Sequence, residues 1–289
     1  MGIDRRHFLA GTGASLLGLA HSTAWARASI GSATIMTLSD GHLRVPAPTE
    51  LGTDGSNALS ERPCNISVVR DGDRTVVFDV GAGPNFMPSA GKLIDSLDSV
   101  GIDLEDVTDV LFTHAHPDHF WGVLDDFDEP VFPNARHAIH RAERDWWNDP
   151  DTLGKLPENR QVFASAAKRL TAALGERLET FSAGDEVVPG IEALATPGHT
   201  PGHCSFIVHN GSQSAVVLGD VVVDEAVSFA RPQIRLRSDT DPDLAARTRQ
   251  TLLNRLAAER TLLTGFHLTR GGLGYAVQSE DGQFRFEPA

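Results

Sequence analysis

Cysteine is scarce in this chain: its 289 residues contain only Cys64 and Cys204. Two thiols can form one bridge at most, so no disulfide framework carries the fold. Two buried free thiols are the expectation, with Cys204 packed inside a strand. Basic residues are also in deficit. Lys and Arg total 25 against 39 Asp and Glu, a formal net charge of -14. No general basic surface for nucleic acid or an anionic membrane is left, and the acidity implies solubility. No apolar run approaches the ~20 residues that a membrane-spanning helix needs. Aromatic residues make up 7% of the chain, with a single tyrosine, Tyr275. What remains is an ordinary globular composition, 40% hydrophobic and 22% charged. It suits one large domain with a substantial core, or two small ones.

The longest apolar run, Phe8 to Ala20, is rich in Gly and Ala. It follows Asp4-Arg5-Arg6-His7-Phe8-Leu9, a twin-arginine pattern, and precedes Ala24-Trp25-Ala26, a small-x-small cleavage site. Residues 1–26 therefore read as a signal peptide for the twin-arginine export machinery. The expected product is periplasmic or secreted, starts near Arg27, and has no stable membrane insertion after cleavage. That route carries folded proteins, so a metal site can assemble before transport.

The densest chemistry is His114-Ala115-His116-Pro117-Asp118-His119, just after the apolar run Val110-Leu111-Phe112. A strand ending at Thr113 presents the cluster, and alternation turns His114 and His116 to one side. Imidazole nitrogen and carboxylate oxygen are the usual ligands of zinc and similar divalent ions. One ion cannot readily take all four side chains from so short a loop, so the spacing suggests two neighbouring ions. Three more polar residues stand at strand ends beside glycine: His199 in the loop Thr196 to Gly202, Asp220 after Leu218-Gly219, and His267 after Gly265-Phe266. Glycine permits the close backbone approach that a crowded metal loop needs.

Around these residues the pattern predicts a first strand over Ile30 to Leu38. A hairpin follows over Asn65 to Val80, turning at Asp71-Gly72-Asp73. Helices are predicted over Pro88 to Val100, Arg141 to Asn148, Pro157 to Leu174 and Pro242 to Glu259, the last capped by Asp241. Short strands are expected at Val131-Phe132, His137 to Ile139, Ile191 to Ala195, His203 to Val208, Ser214 to Leu218 and Thr261 to Gly265. The loop Thr49 to Pro63 shows no periodicity, and Gly274 to Phe286 reads as a terminal hairpin. No linker or composition break divides the chain, so residues 30–289 read as one α/β domain of two packed sheets with outer helices.

The ordered set Phe78-Asp79-Val80-Gly81, His114/His116/Asp118/His119, His199, Asp220 and His267 resembles the metallo-β-lactamase superfamily, from about Ile30 to the C-terminus. That resemblance implies a four-layer αβ/βα sandwich with two mixed sheets and a dinuclear centre, most often Zn2+, at one edge. By it, His114, His116 and His199 hold one ion, Asp118, His119 and His267 the second, and Asp220 bridges them. Asp79 orients the His loop. Asp118 and Asp220 orient a hydroxide and shuttle a proton, in hydrolysis of a small-molecule substrate.

Asp220 favours the lactonase, thioesterase and phosphoesterase branches over true β-lactamases. Phe132-Pro133-Asn134-Ala135, Val188-Pro189-Gly190-Ile191, Gly198-His199-Thr200-Pro201-Gly202-His203 and Ala226-Val227-Ser228-Phe229 are most similar to methyl parathion hydrolase and lactonase-like members. Those relatives are often dimers, so a homodimer is an expectation. Three departures stand out. Val223 occupies a position where many acyl-homoserine lactonases carry Tyr. Trp121 stands where relatives usually have Gly, and Leu268-Thr269-Arg270 replaces a Pro- and Phe-rich segment. Phe120, Trp121 and Phe229 are candidate walls of an apolar pocket, and Arg270 a candidate contact for a substrate oxygen. The implied reaction is hydrolysis of lactones or activated carboxylic or phosphate esters. The alternatives are a β-lactamase, a glyoxalase-II-like thioesterase, and a metal-binding protein without turnover.

Overall fold

The computed structural model describes residues 26–54 and 58–289; the twin-arginine segment expected over residues 1–26 lies outside them except for Ala26. The first sheet runs in chain order: β1 (Ala26–Ile30), β2 (Ala33–Pro46), β3 (Leu59–Asp71), β4 (Arg74–Phe78), β5 (Asp109–Phe112), β6 (Arg136–His140) and β7 (Leu178–Phe181). β1 to β4 pair antiparallel, and β4 to β7 pair parallel. The second sheet holds β8 (Glu186–Val188), β9 (Ile191–Ala195), β10 (Cys204–Asn210), β11 (Gln213–Val217), β12 (Leu262–Thr264), β13 (Leu273–Gln278) and β14 (Phe284–Pro288), again in chain order. Only β11 and β12 pair parallel there. The α-helices among the described residues are α1 (Leu93–Ser99), α2 (Pro117–Phe120), α3 (Arg141–Asn148), α4 (Thr152–Lys155), α5 (Gln161–Leu174) and α6 (Pro242–Glu259).

Strand sequences explain the layering. Val76-Val77-Phe78 and Val110-Leu111-Phe112 are apolar at every position because both faces of their sheet are covered. Val76, Phe78 and Leu111 join Phe206, Val208, Ala215 and Val217 in the core between the sheets. Val77, Val110 and Phe112 point the other way, onto Leu93, Leu97, Ala167 and Leu170 of α1 and α5. Across the molecule, Ile207, Val216 and Leu263 pack on Leu252, Leu253 and Leu256 of α6. Helix, sheet, sheet and helix are therefore stacked in four layers, as expected. Each fully buried Leu, Ile, Val or Phe contributes roughly 1.5–3 kcal/mol.

Local differences from the sequence reading have local causes. Among the described residues a further strand precedes the first one expected, since β1 pairs with β2 over Ala26–Ile30 and a tight turn at Gly31 joins them. β3 begins at Leu59 and runs 13 residues, because β2 is long enough to pair with all of it; of the loop expected over Thr49 to Pro63, the part Leu59 to Pro63 is strand. A register shift between Ser39 and His42 turns Asp40 inward. Its carboxylate accepts the amides of Ala82, Gly91 and Leu93. Those bonds fix the helix start at Leu93, not Pro88. A 3-10 turn over Glu158–Arg160 takes the expected first turn of α5. Val131-Phe132 forms no strand, and β7 and β8 lack a readable alternation. α6 spans Pro242–Glu259, and Asp241 accepts from the amide of Leu244 at 2.9 Å. Cys64 and Cys204 are free and buried, in different cores.

Candidate metal centre

The site collects loops at the C-terminal ends of strands from both sheets. β5 delivers Thr113, His114 and His116, and the single turn of α2 follows. Pro117 opens that turn with its fixed φ. The amides of His119 and Phe120 both donate to the His116 carbonyl, which sets Asp118 and His119 facing inward. His199 comes from the β9–β10 loop, Asp220 follows β11, and His267 follows β12. The backbone turns into Asp220 through Gly219 at φ +57, where an added Cβ would lie 2.7 Å from His203 Nε2. Only glycine fits there.

All seven residues expected to bind metal converge. His114 Nε2 is 3.0 Å from His116 Nδ1, which is 2.9 Å from His199 Nε2. Asp220 Oδ2 lies 3.3 Å from His199 Nε2 and 3.5 Å from His267 Nε2, while its Oδ1 lies 3.3 Å from His119 Nε2. Asp118 Oδ2 is 3.3 Å from His267 Nε2 and 3.6 Å from His119 Nε2. Three sets of donor atoms each lie within 4.8 Å of one another: His114/His116/His199, His114/His119/Asp220 and Cys64/Asp118/His267.

Hydrogen bonds on the far sides of the rings decide which nitrogen faces inward. His119 Nδ1 donates to Asp79 Oδ2 at 2.8 Å, His199 Nδ1 to Asp239 Oδ1 at 2.9 Å, and His267 Nδ1 to the Pro63 carbonyl at 2.8 Å. Thr113 Oγ1 gives its own proton to Asp79, so it accepts from His114 Nδ1. Four imidazoles thereby turn Nε2 to the centre, the arrangement that metal-ligating histidines adopt.

The residues fit divalent ions. Asp118 Oδ2, His119 Nε2 and Asp220 Oδ1 are buried and have no hydrogen-bond partner among the described residues. Their neighbours sit at the separations of atoms pointing at a shared position. Ligands ~2.1 Å from a common ion lie about 3.0–3.4 Å apart. The field points the same way. Burial disfavours charge on His119, yet the carboxylates of Asp220, Asp118 and Asp79 outweigh it and raise its pKa well above the ordinary value. Burial is likewise overcome at His267, raised to about 9 chiefly by Asp220. Asp118 is held at about 2 because His119 and His267 outweigh its burial. A field that holds protons this firmly attracts cations. His114 and His116 are pushed well down, by burial and by neighbouring imidazoles, and stay neutral.

Several supporting residues escape sequence reading. Glu143 of α3 accepts from the Ala115 and Gly202 amides, Trp147 Nε1 and Thr200 Oγ1, tying the His114 loop to the His199 loop. Asp239 links His199 to the buried Arg249, which also donates to the carbonyls of Val221, Pro232 and Ile234. His203 Nε2 accepts the Asp220 amide at 2.9 Å, while Nδ1 faces the Thr196 carbonyl. The only sequence signal was the second histidine of the run Gly198 to His203. Arg62 is half-buried, within electrostatic reach of Asp118 and Asp220, and its Nε has no partner among the described residues.

The pocket expectations need correction. Phe120 is fully buried and packs edge-on against Phe112, so it is a core residue. Phe229 is also fully buried, against Phe286 beneath the second sheet. Arg270 sits on the surface, paired with Glu225 at 2.8 Å. Trp121 borders a cavity, though one lined by none of the expected metal ligands. Half-buried, it contacts Phe86 and Phe163 edge-on and borders a cavity of about 210 Å³ with Gly83, Asn85 and Leu124. Phe163 in turn contacts the His116 ring, and the buried Trp121 Nε1 has no partner among the described residues.

Residues 59–263 match the family model for the metallo-beta-lactamase superfamily, and the chain belongs to that family. Among curated proteins it is 27% identical over 128 residues to the N-acyl homoserine lactonase AttM of Agrobacterium fabrum, covering 43% of this chain and 44% of that protein. It is 28% identical over 137 residues to an N-acyl homoserine lactonase of a Bacillus species, covering 46% and 45%. The chain thus spans under half the length of these lactonases. Among solved structures, the hydrolase AbOPH of the beta lactamase superfamily superposes with TM-score 0.83 at 26% identity, over 92% of this chain and 98% of that one. The dizinc quorum-quenching lactonase AidC superposes with TM-score 0.84 at 24% identity, over 92% and 97%, and supports the fold.

Proposed function

We propose that this protein is a dinuclear-metal hydrolase that cleaves lactones or activated carboxylic or phosphate esters of small, fairly apolar molecules. The observation that carries the reading is the set of buried, unpartnered atoms Asp118 Oδ2, His119 Nε2 and Asp220 Oδ1 among histidines whose far nitrogens are already engaged. His114, His116 and His199 would hold one ion, and Asp118, His119 and His267 the other. Asp220, with one oxygen toward His119 and the other toward His199 and His267, would lie between them. The nitrogen and oxygen donors suit zinc. When bound, such a pair of ions would supply Lewis acidity for water activation and for polarising a carbonyl or phosphoryl oxygen.

The chain's own groups do the rest. Asp118 and Asp220 orient the attacking water and take its proton at a carboxylate oxygen. Trp121 and Phe163 exclude bulk water beside His116 and present an apolar surface to an acyl or aryl group. The lactonase names of the curated relatives favour the lactone branch.

The test is hydrolysis, by the metal-loaded protein, of a γ-lactone with a long acyl chain, an aryl ester, methyl paraoxon and nitrocefin. The lactone should give the highest kcat/KM. Dominant nitrocefin turnover would move the protein to the β-lactamases, and no turnover with metal bound would leave a binding protein. The same reading includes export and a homodimer. Replacing Arg5 and Arg6 by lysine should strand the precursor in the cytoplasm, and undiminished export in that variant would remove the signal assignment.

A further inference from the structure

One donor near the centre is neither imidazole nor carboxylate. Cys64 lies on β3, directly after Pro63, whose carbonyl holds His267 Nδ1 at 2.8 Å. The thiol is completely buried. Its sulfur, a carboxylate oxygen of Asp118 and a ring nitrogen of His267 all lie within 4.8 Å of one another. These atoms come from three distant pieces of chain: β3, the turn of α2, and the loop after β12. Asp118 is 7% exposed, and its Oδ2 has no hydrogen-bond partner among the described residues. That oxygen stands 3.3 Å from His267 Nε2. A carboxylate oxygen, an imidazole nitrogen and a sulfur thus bound one small volume.

We propose that the second metal position is a mixed nitrogen, oxygen and sulfur site, in which the Cys64 thiolate joins Asp118 and His267 as a ligand. The inference rests on the dinuclear reading above and deepens it. Binding breaks the S–H bond, releases that proton to solvent and forms a sulfur–metal bond, with no change of oxidation state. A divalent ion at the shared volume favours the thiolate form of the sulfur. A soft donor makes the position favour zinc or cobalt over magnesium or manganese. A third anionic ligand beside Asp118 and Asp220 also lowers the net positive charge of the loaded centre.

Cobalt(II) gives a readout independent of turnover. The full chain loaded with two equivalents should show a near-ultraviolet thiolate-to-cobalt charge-transfer band. Cys64→Ser should lose the band and bind the second equivalent at least tenfold more weakly. Cys204→Ser should keep both, since Cys204 packs in the core between the sheets. X-ray absorption at the zinc edge of the unmodified protein needs no variant, and should show one sulfur scatterer shared over two zinc ions. Two bound cobalt ions with no band, a band that survives Cys64→Ser, or a sulfur-free zinc edge would overturn the inference while leaving the dinuclear centre intact. A protein that binds no metal would overturn both.

Discussion

At the scale of single residues, the site is a problem of aiming nitrogens. An imidazole has two, and a histidine near an ion is useful only when one is committed elsewhere. Asp79 shows how the chain arranges this. It sits at φ +65, a conformation costly for most side chains but tolerated by Asp and Asn. From there its carboxylate reaches the Thr113 amide, the Thr113 hydroxyl and His119 Nδ1, and so fixes two adjacent imidazoles at once. Asp79→Asn keeps the backbone tolerance and removes the charge and one acceptor. We expect metal affinity to fall ~10–100-fold in that variant, measured by competition with a chelator, with little change in secondary structure. An unchanged affinity would show that His119 is aimed by its packing on Phe266 alone.

At the scale of elements, two helices act as braces for loops they do not contain. Glu143 is on α3, yet its four bonds run to both histidine loops and to Trp147. Burial raises its pKa, and the bonds from Thr200, Trp147, Ala115 and Gly202 pull it back. Glu143→Ala strands buried donors, each costing ~1–3 kcal/mol. Denaturant unfolding should therefore report a loss of at least about 3 kcal/mol, with weaker metal retention. A loss below 1 kcal/mol would mean that water substitutes for the carboxylate. β6 carries a different liability. His137 is buried against Phe112, and burial lowers its pKa from 6.5 to about 4. The unfolded chain therefore binds the proton first. The stability this neutral ring contributes is complete above pH 6.5 and is lost as pH falls through about 4. A shift of that size is worth about 3 kcal/mol. His137→Phe should flatten the stability profile in that window, and an unaltered acid limb would assign the loss to the site carboxylates.

At the scale of the molecule, what could be read in the sequence was what lies close together along the chain. The run His114 to His119, the glycine-flanked His199, Asp220 and His267, the hairpin at Gly72 and the cap at Asp241 are local signals, and the structure holds each in place. The braces are contacts between distant segments. Glu143 meets Gly202, Arg249 meets Val221, and Asn65 of β3 donates to the Leu268 carbonyl 203 residues away. No spacing rule finds such partners. Adjacency also misled: Phe120 follows the metal loop but turns into the core. The same long-range geometry carries a consequence for stability. His114, His116, Asp118 and His119 hang from the first sheet, and His199, Asp220 and His267 from the second. An ion shared between them would bind only when both sheets are docked. Ligand in thousandfold excess over its Kd adds about 4 kcal/mol, and 1 kcal/mol moves the Tm of a chain this size by ~2–4 °C. Chelation should accordingly lower Tm by about 10 °C while unfolding remains a single transition in calorimetry. A chelated protein that melts in two steps would show that the metals join halves able to fold separately. An unshifted Tm would show that the site is not a bridge between the sheets.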